Sequence, residues 1–194
     1  MQNNSILINQ IFPTNGISTY IKNIVLIIFG SFLLAVSSKV QVPFWPVPMT
    51  MQTFVVFLIG MSYGWKLSFL TLIAYIIEGA LGLPVFATGA GFAYLMGPTA
   101  GYIYGMLLAS IVIGFLSEKN YSKTYFMSLV SLLIGSIIIF TLGVGYLGSI
   151  IGYDKAINFG LLPFIPSELF KIALAVALIP SLSKFIKWIK WKLV

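Results

Sequence analysis

The chain has 194 residues, of which 59% are hydrophobic and 8% charged, and its mean hydropathy of +1.04 lies far outside soluble composition, so it reads as an integral membrane protein. It has no cysteine and no histidine, which removes disulfides, thiol chemistry, imidazole haem ligation and the usual zinc ligands. Its four acids are too scattered for a carboxylate metal cage, and its eleven basic residues, all lysine, are read as membrane orientation and not as a nucleic-acid surface.

In chain order, residues 1–21 are polar and mixed, with a Pro13-Thr-Asn-Gly16 turn signal, and are expected to form a lead or interfacial segment ahead of a membrane domain over 22–194. They do not read as a secretory signal, because no base precedes Lys22 and no small-residue cleavage site follows an apolar stretch. The first crossing is predicted over 22–39, between two lysines. Three prolines then fall within 43–48, which forbids a helix and predicts a structured connection folded over something, since irregular apolar backbone survives near lipid only where protein or a cavity satisfies its polar groups. Second and third crossings over 51–63 and 65–78 are separated by Gly64 and are short. The stretch 79–91, with glycines at 79, 82, 89 and 91 and with Pro84, is too flexible for a helix and too apolar for a free loop.

A fourth crossing begins near Gly97-Pro98 and ends near Ser117, with Gly97, Gly101 and Gly105 at four-residue spacing as a packing stripe. The fifth covers 125–151 and the sixth 166–185. At about 20 residues per helical span, six crossings nearly use up the chain. The predicted class is therefore all-α, six transmembrane helices with structured, re-entrant-like outer connections. Placing both termini in the cytoplasm of a multi-pass cell-membrane protein sets Lys22, Lys66, Lys119, Lys123, Lys184, Lys187, Lys190 and Lys192 inside, against Lys39, Lys155 and Lys171 outside. The tail from Lys184 to Lys192 then reads as a Trp-anchored basic end at the inner headgroups of the lipid bilayer.

Glu168 and Lys171 stand in an otherwise apolar run, where desolvation makes charge expensive. Three residues apart on a helix, they share a face, which suits a pair aimed at a cavity; the competing reading is an ion pair that only fixes helix packing. In the predicted topology the proline-rich connection, the glycine-rich connection and this pair all converge at the outer face, the arrangement of apolar walls and a few polar groups that a small-molecule pocket needs. Glu78, at the end of the third crossing, is expected to be structural, paired with Lys39 or nearby amides.

Four segments in order, Val42-Pro-Phe-Trp-Pro-Val-Pro-Met-Thr-Met-Gln-Thr53, Glu78-Gly-Ala-Leu-Gly-Leu-Pro-Val-Phe-Ala87, Leu95-Met-Gly-Pro-Thr-Ala-Gly-Tyr102 and Pro163-Phe-Ile-Pro followed by an acid and Lys171, resemble the BioY family of biotin transporters over about 31–175. The resemblance implies a six-helix substrate-binding (S) component of an energy-coupling factor (ECF) transporter, which captures biotin at the outer face and works with a transmembrane coupling subunit and a pair of cytoplasmic ATPases. The chain has no Gly-x-x-x-x-Gly-Lys-Ser/Thr phosphate loop, so an ATP-driven step would come from another polypeptide, and the chain is expected to be a transporter subunit and not an enzyme. No cofactor is implied; biotin enters as transported substrate. The family offers an acid and a lysine on the sixth helix, preceded by glycine; Glu168, Lys171 and Ser167 take those positions here. A small-residue motif for docking the coupling subunit is matched by Ser31 and Ala35.

Biotin's ureido ring carries two N–H donors and a carbonyl acceptor, so a carboxylate and an ammonium supply complementary partners, with Lys171 meeting either the ring carbonyl or the valerate carboxylate. Phe44, Trp45, Phe86 and Tyr94 are candidate apolar walls, and Gln52 and Thr88 candidate hydrogen-bonding groups. Two other readings stand beside this one: an S component for thiamine or riboflavin, and an intramembrane enzyme with Glu168 as general base, for which the chain shows no second catalytic group.

Overall fold

The computed structural model describes residues 6–11 and 17–192. Eight α-helices dominate the described residues: α1 (Leu7–Ile11), α2 (Ile17–Lys39), α3 (Gln52–Tyr63), α4 (Trp65–Ala80), α5 (Ala100–Glu118), α6 (Tyr125–Ile151), α7 (Tyr153–Gly160) and α8 (Phe164–Lys192). Four of them, α2, α5, α6 and α8, are long and apolar enough to cross a membrane. The other two elements expected to cross, α3 and α4, have 12 and 16 residues, about 18 and 24 Å at 1.5 Å per residue. Their lengths follow from Gly64, which ends one and starts the other at φ +76; a side chain there would be strained and would meet the Glu118 carboxylate.

The fifth predicted crossing coincides with α6, whose first turn is capped by the Thr124 hydroxyl accepting from the Met127 amide at 3.4 Å. Elsewhere the boundaries shift. The first crossing, α2, starts at Ile17, five residues before Lys22, and the last, α8, at Phe164. That last helix runs on to Lys192, so the basic tail continues a helix. The short helix α7 was not expected. Within the lead, residues 1–5 and 12–16 lie outside the described residues, while α1 is docked: Ile6, Leu7 and Ile8 are buried and the Lys22 ammonium donates to Asn9 Oδ1 at 3.0 Å.

The helix α5 is central, packing on α6, α3 and α4. Its seam with α6 is made by missing side chains. A methyl group at Gly105 would stand 2.8 Å from Ile139 Cα, and one at Gly101 would stand 2.5 Å from the Leu142 carbonyl oxygen, so neither site has room for a Cβ. Gly97 does not belong to this seam; it precedes α5 and faces the Tyr94 carbonyl.

The irregular segments gather at one end of the bundle. A two-stranded antiparallel hairpin, β1 (Gln41–Val42) and β2 (Met49–Thr50), brackets the prolines, with Gln41 opposite Thr50. Side chains from the end of α2 and from β1 fasten three successive carbonyls of the glycine-rich connection: Ser38 to Val85 at 2.7 Å, Lys39 to Phe86 at 2.5 Å and Gln41 to Ala87 at 3.3 Å. Carbonyls of an irregular segment are thereby given partners. Tyr102 donates to the Gly160 carbonyl at 2.8 Å, tying α7 to α5, and Phe44 meets Phe164 edge-on at 6.4 Å between ring centres.

These bonds correct one expectation. Lys39 is engaged by Phe86, and Glu78 accepts from the Ser31 hydroxyl, so the anticipated Glu78–Lys39 pair is replaced by two separate contacts. The geometry behind the change is that Lys39 stands where α2 meets the loop, whereas Ser31 is two turns earlier, level with the end of α4. Ser31 is consequently buried at 1% exposure and turned toward α4, and Ala35 is half-buried. The outward face of α2 is instead made of Ile21, Ile24, Ile28 and Phe32.

Candidate substrate-binding site

Under the hairpin and the glycine-rich connection lies a cavity with about 550 Å³ of empty space, its mouth included, lined from the hairpin, α3, α4, the connection, α5, α6 and α8. Each element contributes differently, and the polar groups come from few of them.

The buried ion pair is at the wall of this cavity. One turn into α8, Glu168 and Lys171 are 4% and 3% exposed, with Lys171 Nζ 3.2 Å from Glu168 Oε2. Thr53, in the first turn of α3, closes a triangle: its Oγ1 accepts from Lys171 Nζ at 3.1 Å and donates to Glu168 Oε2 at 2.8 Å. A hydroxyl can do both at once from a single atom. Ser136 of α6 donates to the other carboxylate oxygen, Oε1, at 3.4 Å. Two opposite charges removed from water are thus held by partners from three helices, which is the condition under which a buried pair persists.

Aromatic rings form two clusters on the lining. In one, Phe86 stacks on Tyr94 at 4.8 Å and meets Tyr75 edge-on at 5.5 Å. Phe86 fits because Gly79, under it, carries no side chain: a Cβ there would lie 2.1 Å from the ring. In the other, Tyr102, Phe140 and Phe164 meet pairwise with centroids 6.1–6.4 Å apart. Gln52, at the start of α3, donates from Nε2 to the Tyr75 hydroxyl at 2.6 Å, and the Tyr75 hydroxyl donates to the Val85 carbonyl at 3.0 Å.

Of the residues expected at the site, Glu168, Lys171, Gln52, Phe86 and Tyr94 line the cavity. Thr88 is exposed and lies beside Tyr94, 3.5 Å from its hydroxyl. Phe44 is 42% exposed and backs Phe164, outside the lining, and Trp45, at 78% exposure, points away at the tip of the hairpin. Lining residues that sequence reasoning passed over include Thr53, Tyr75, Tyr102, Phe140 and Phe164, and it also passed over Ser136, which holds Glu168 without lining the cavity. Thr53, Tyr102 and Phe164 stand inside the four family-like segments; Ser136 carried no signal beyond being a hydroxyl in an apolar helix.

A bundle with lipid-length apolar helices and an aromatic-walled cavity bearing a buried ion pair defines a membrane-embedded small-molecule-binding protein. The model of the BioY family matches residues 7–188, and the chain belongs to that family. Relatives include the biotin transporter BioY of Thermotoga maritima, 40% identical over 154 residues that cover 78% of this chain and 90% of the relative, and the probable biotin transporter BioY of Pyrococcus horikoshii, 38% identical over 156 residues covering 80% and 92%. The probable biotin transporter BioY of Rickettsia prowazekii is 35% identical over 166 residues, 85% of each chain. In fold the chain is similar to the crystal structure of the S-component for biotin from an ECF-type ABC transporter, with a TM-score of 0.77, 24% identity and coverage of 88% of this chain and 95% of that one.

Proposed function

We propose that this chain takes up biotin, as the membrane-embedded S component of an ECF transporter: it captures the vitamin at the extracellular face and delivers it through a transmembrane coupling subunit driven by two cytoplasmic ATPases. In this reading α2, α3, α4, α5, α6 and α8 are the six crossings, both termini are cytoplasmic, and the hairpin end faces outward. Membership of the BioY family and the names of its relatives support the substrate.

The observation that carries the reading is the Glu168–Thr53–Lys171 triangle at the cavity wall. An electroneutral pair in a buried site suits a neutral group that both donates and accepts, and the ureido ring is such a group: its N–H groups would meet Glu168 and its carbonyl Lys171. Aromatic faces on two sides accommodate the fused bicycle and the aliphatic tail. The carboxylate of the ligand then belongs toward the mouth, where water screens it.

Titrating purified chain with biotin, thiamine and riboflavin tests the proposal. Saturable binding of biotin with the other two excluded is expected; preference for either competitor, or no saturable biotin binding, would falsify it.

A further inference from the structure

Three hydrogen bonds run in series along one side of the cavity. The Thr50 hydroxyl, on β2, donates to Gln52 Oε1 at 3.3 Å, Gln52 Nε2 donates to the Tyr75 hydroxyl at 2.6 Å, and the Tyr75 hydroxyl donates to the Val85 carbonyl at 3.0 Å. Only one orientation of the Gln52 amide makes all three: turned over, it would take the Tyr75 proton on Oε1, and the bond to Val85 would be lost. Val85 depends on that last bond, because Ser38, its other donor, has one proton and stands 2.7 Å from both the Val85 and the Ala35 carbonyls.

The series joins the two halves of the site. At its far end Val85 precedes Phe86, whose ring lies on Gly79, meets Tyr75 edge-on and stacks on Tyr94. At its near end Gln52 precedes Thr53, which holds both Glu168 and Lys171. Gln52 and Tyr75 are 6% and 1% exposed, and both ends of the Gln52 amide are engaged within the protein.

We infer that Gln52 and Tyr75 are positioning residues: through the bond to Val85 they hold the Phe86–Tyr94 wall at a set distance from the Glu168–Lys171 pair, and that distance makes the site selective for a ureido ring fused to a second ring. The pair alone can meet any cyclic urea, since it addresses only N–H groups and a carbonyl. A bicycle that fills the space between wall and pair loses more from a displaced wall than a single ring that leaves part of it empty, because dispersion contact is forfeited steeply as a gap opens. The selectivity rests on the biotin reading, whereas the hold on the wall is a matter of the protein alone, and the two are tested apart.

Dissociation constants for biotin and for dethiobiotin, which keeps the ureido ring and lacks the sulfur ring, are measured on the parent, Gln52→Met, Tyr75→Phe and the double variant, with binding stoichiometry to count folded chains. Tyr75→Phe keeps the aromatic ring and deletes the bond to Val85. It is expected to weaken biotin about fivefold, the worth of a neutral hydrogen bond, and dethiobiotin by less, so that the preference between them narrows. An unchanged preference, with or without lost stoichiometry, would make Tyr75 a packing residue and overturn the inference. Gln52→Met is expected to weaken biotin in the parent and to cost little in the Tyr75→Phe background, where the Gln52 amide has already lost its acceptor. Equal losses in both backgrounds would make Gln52 a ligand contact and overturn its positioning role. Thr50→Val, which reaches the same amide from the hairpin, makes that comparison if Gln52→Met does not fold. Crystal structures of the ligand-free parent and of Tyr75→Phe are expected to show Phe86 stacked on Tyr94 at 4.8 Å in the first and displaced in the second. A wall that Tyr75→Phe leaves in place overturns the inference whatever the cavity binds. Failure of the parent to bind biotin sinks the biotin reading and leaves this structural comparison standing.

Discussion

A hydroxyl between an acid and a base does more than fill a gap. Thr53 lets Lys171 and Glu168 lean on one group that is donor to one and acceptor from the other, so removing it leaves both charges short of a partner. Thr53→Val keeps the shape and deletes the relay; it is expected to weaken biotin binding by about 1–3 kcal/mol, the cost of a buried unpaired polar group, with Thr53→Ser restoring most of it. Calorimetric titration of both variants checks this. Lys171→Ala should cost about 2–5 kcal/mol of affinity, because Glu168 is then buried without its counter-ion; parent-like binding would mean that the pair serves packing only. At this scale the sequence announced the two charges, since few charged residues occur and a helix full of aliphatics makes them conspicuous. It did not announce Thr53 or Ser136, because hydroxyls are common in apolar helices and only the crossing of α3, α6 and α8 decides which of them meets the carboxylate. Trp45 was misleading for the converse reason: the turn around the prolines puts its ring outside, and no residue pattern reveals which way a hairpin tip faces.

Among the elements, legibility follows length and apolar continuity. The 27-residue α6 was readable because it is a long, strongly apolar run without a charged residue. By contrast α7 escaped notice: eight residues with Asp154, Lys155 and Asn158 look like a polar loop, and its helicity depends on Ala156 and Gly160 being buried against the bundle. The glycine stripe was correctly read as packing, but only two of its three members take part. Gly105→Val is expected to force α5 and α6 apart, because the new side chain meets backbone of Ile139 and not a movable side chain. A loss of about 1–3 kcal/mol, typical of overpacking, should appear as a lower melting temperature in detergent, whereas Gly145→Ala, which meets nothing within 4 Å, should melt like the parent.

For the whole molecule, the lysine distribution predicts orientation, and the absence of cysteine makes it easy to check. Single substitutions Lys119→Cys and Leu83→Cys, both at exposed positions, are expected to react with a membrane-impermeant thiol reagent from the cytoplasmic and the extracellular side respectively. The reverse pattern would invert the topology and place the hairpin inside. Vesicles holding this chain alone should bind biotin without accumulating it on addition of ATP, since the sequence has no phosphate loop.

The seam between α5 and α6 also determines how the cavity can answer a guest of another size. With no space for a methyl group at Gly101 or Gly105, the ridge that carries Met106 and Ile139 into the cavity is a fixed jaw. Yielding falls to the other jaw, the hairpin and the Val85–Ala87 carbonyls, whose clasps from Ser38, Lys39 and Gln41 open one bond at a time. Retuning this protein toward a new vitamin would therefore begin at the clasps and leave the ridge alone.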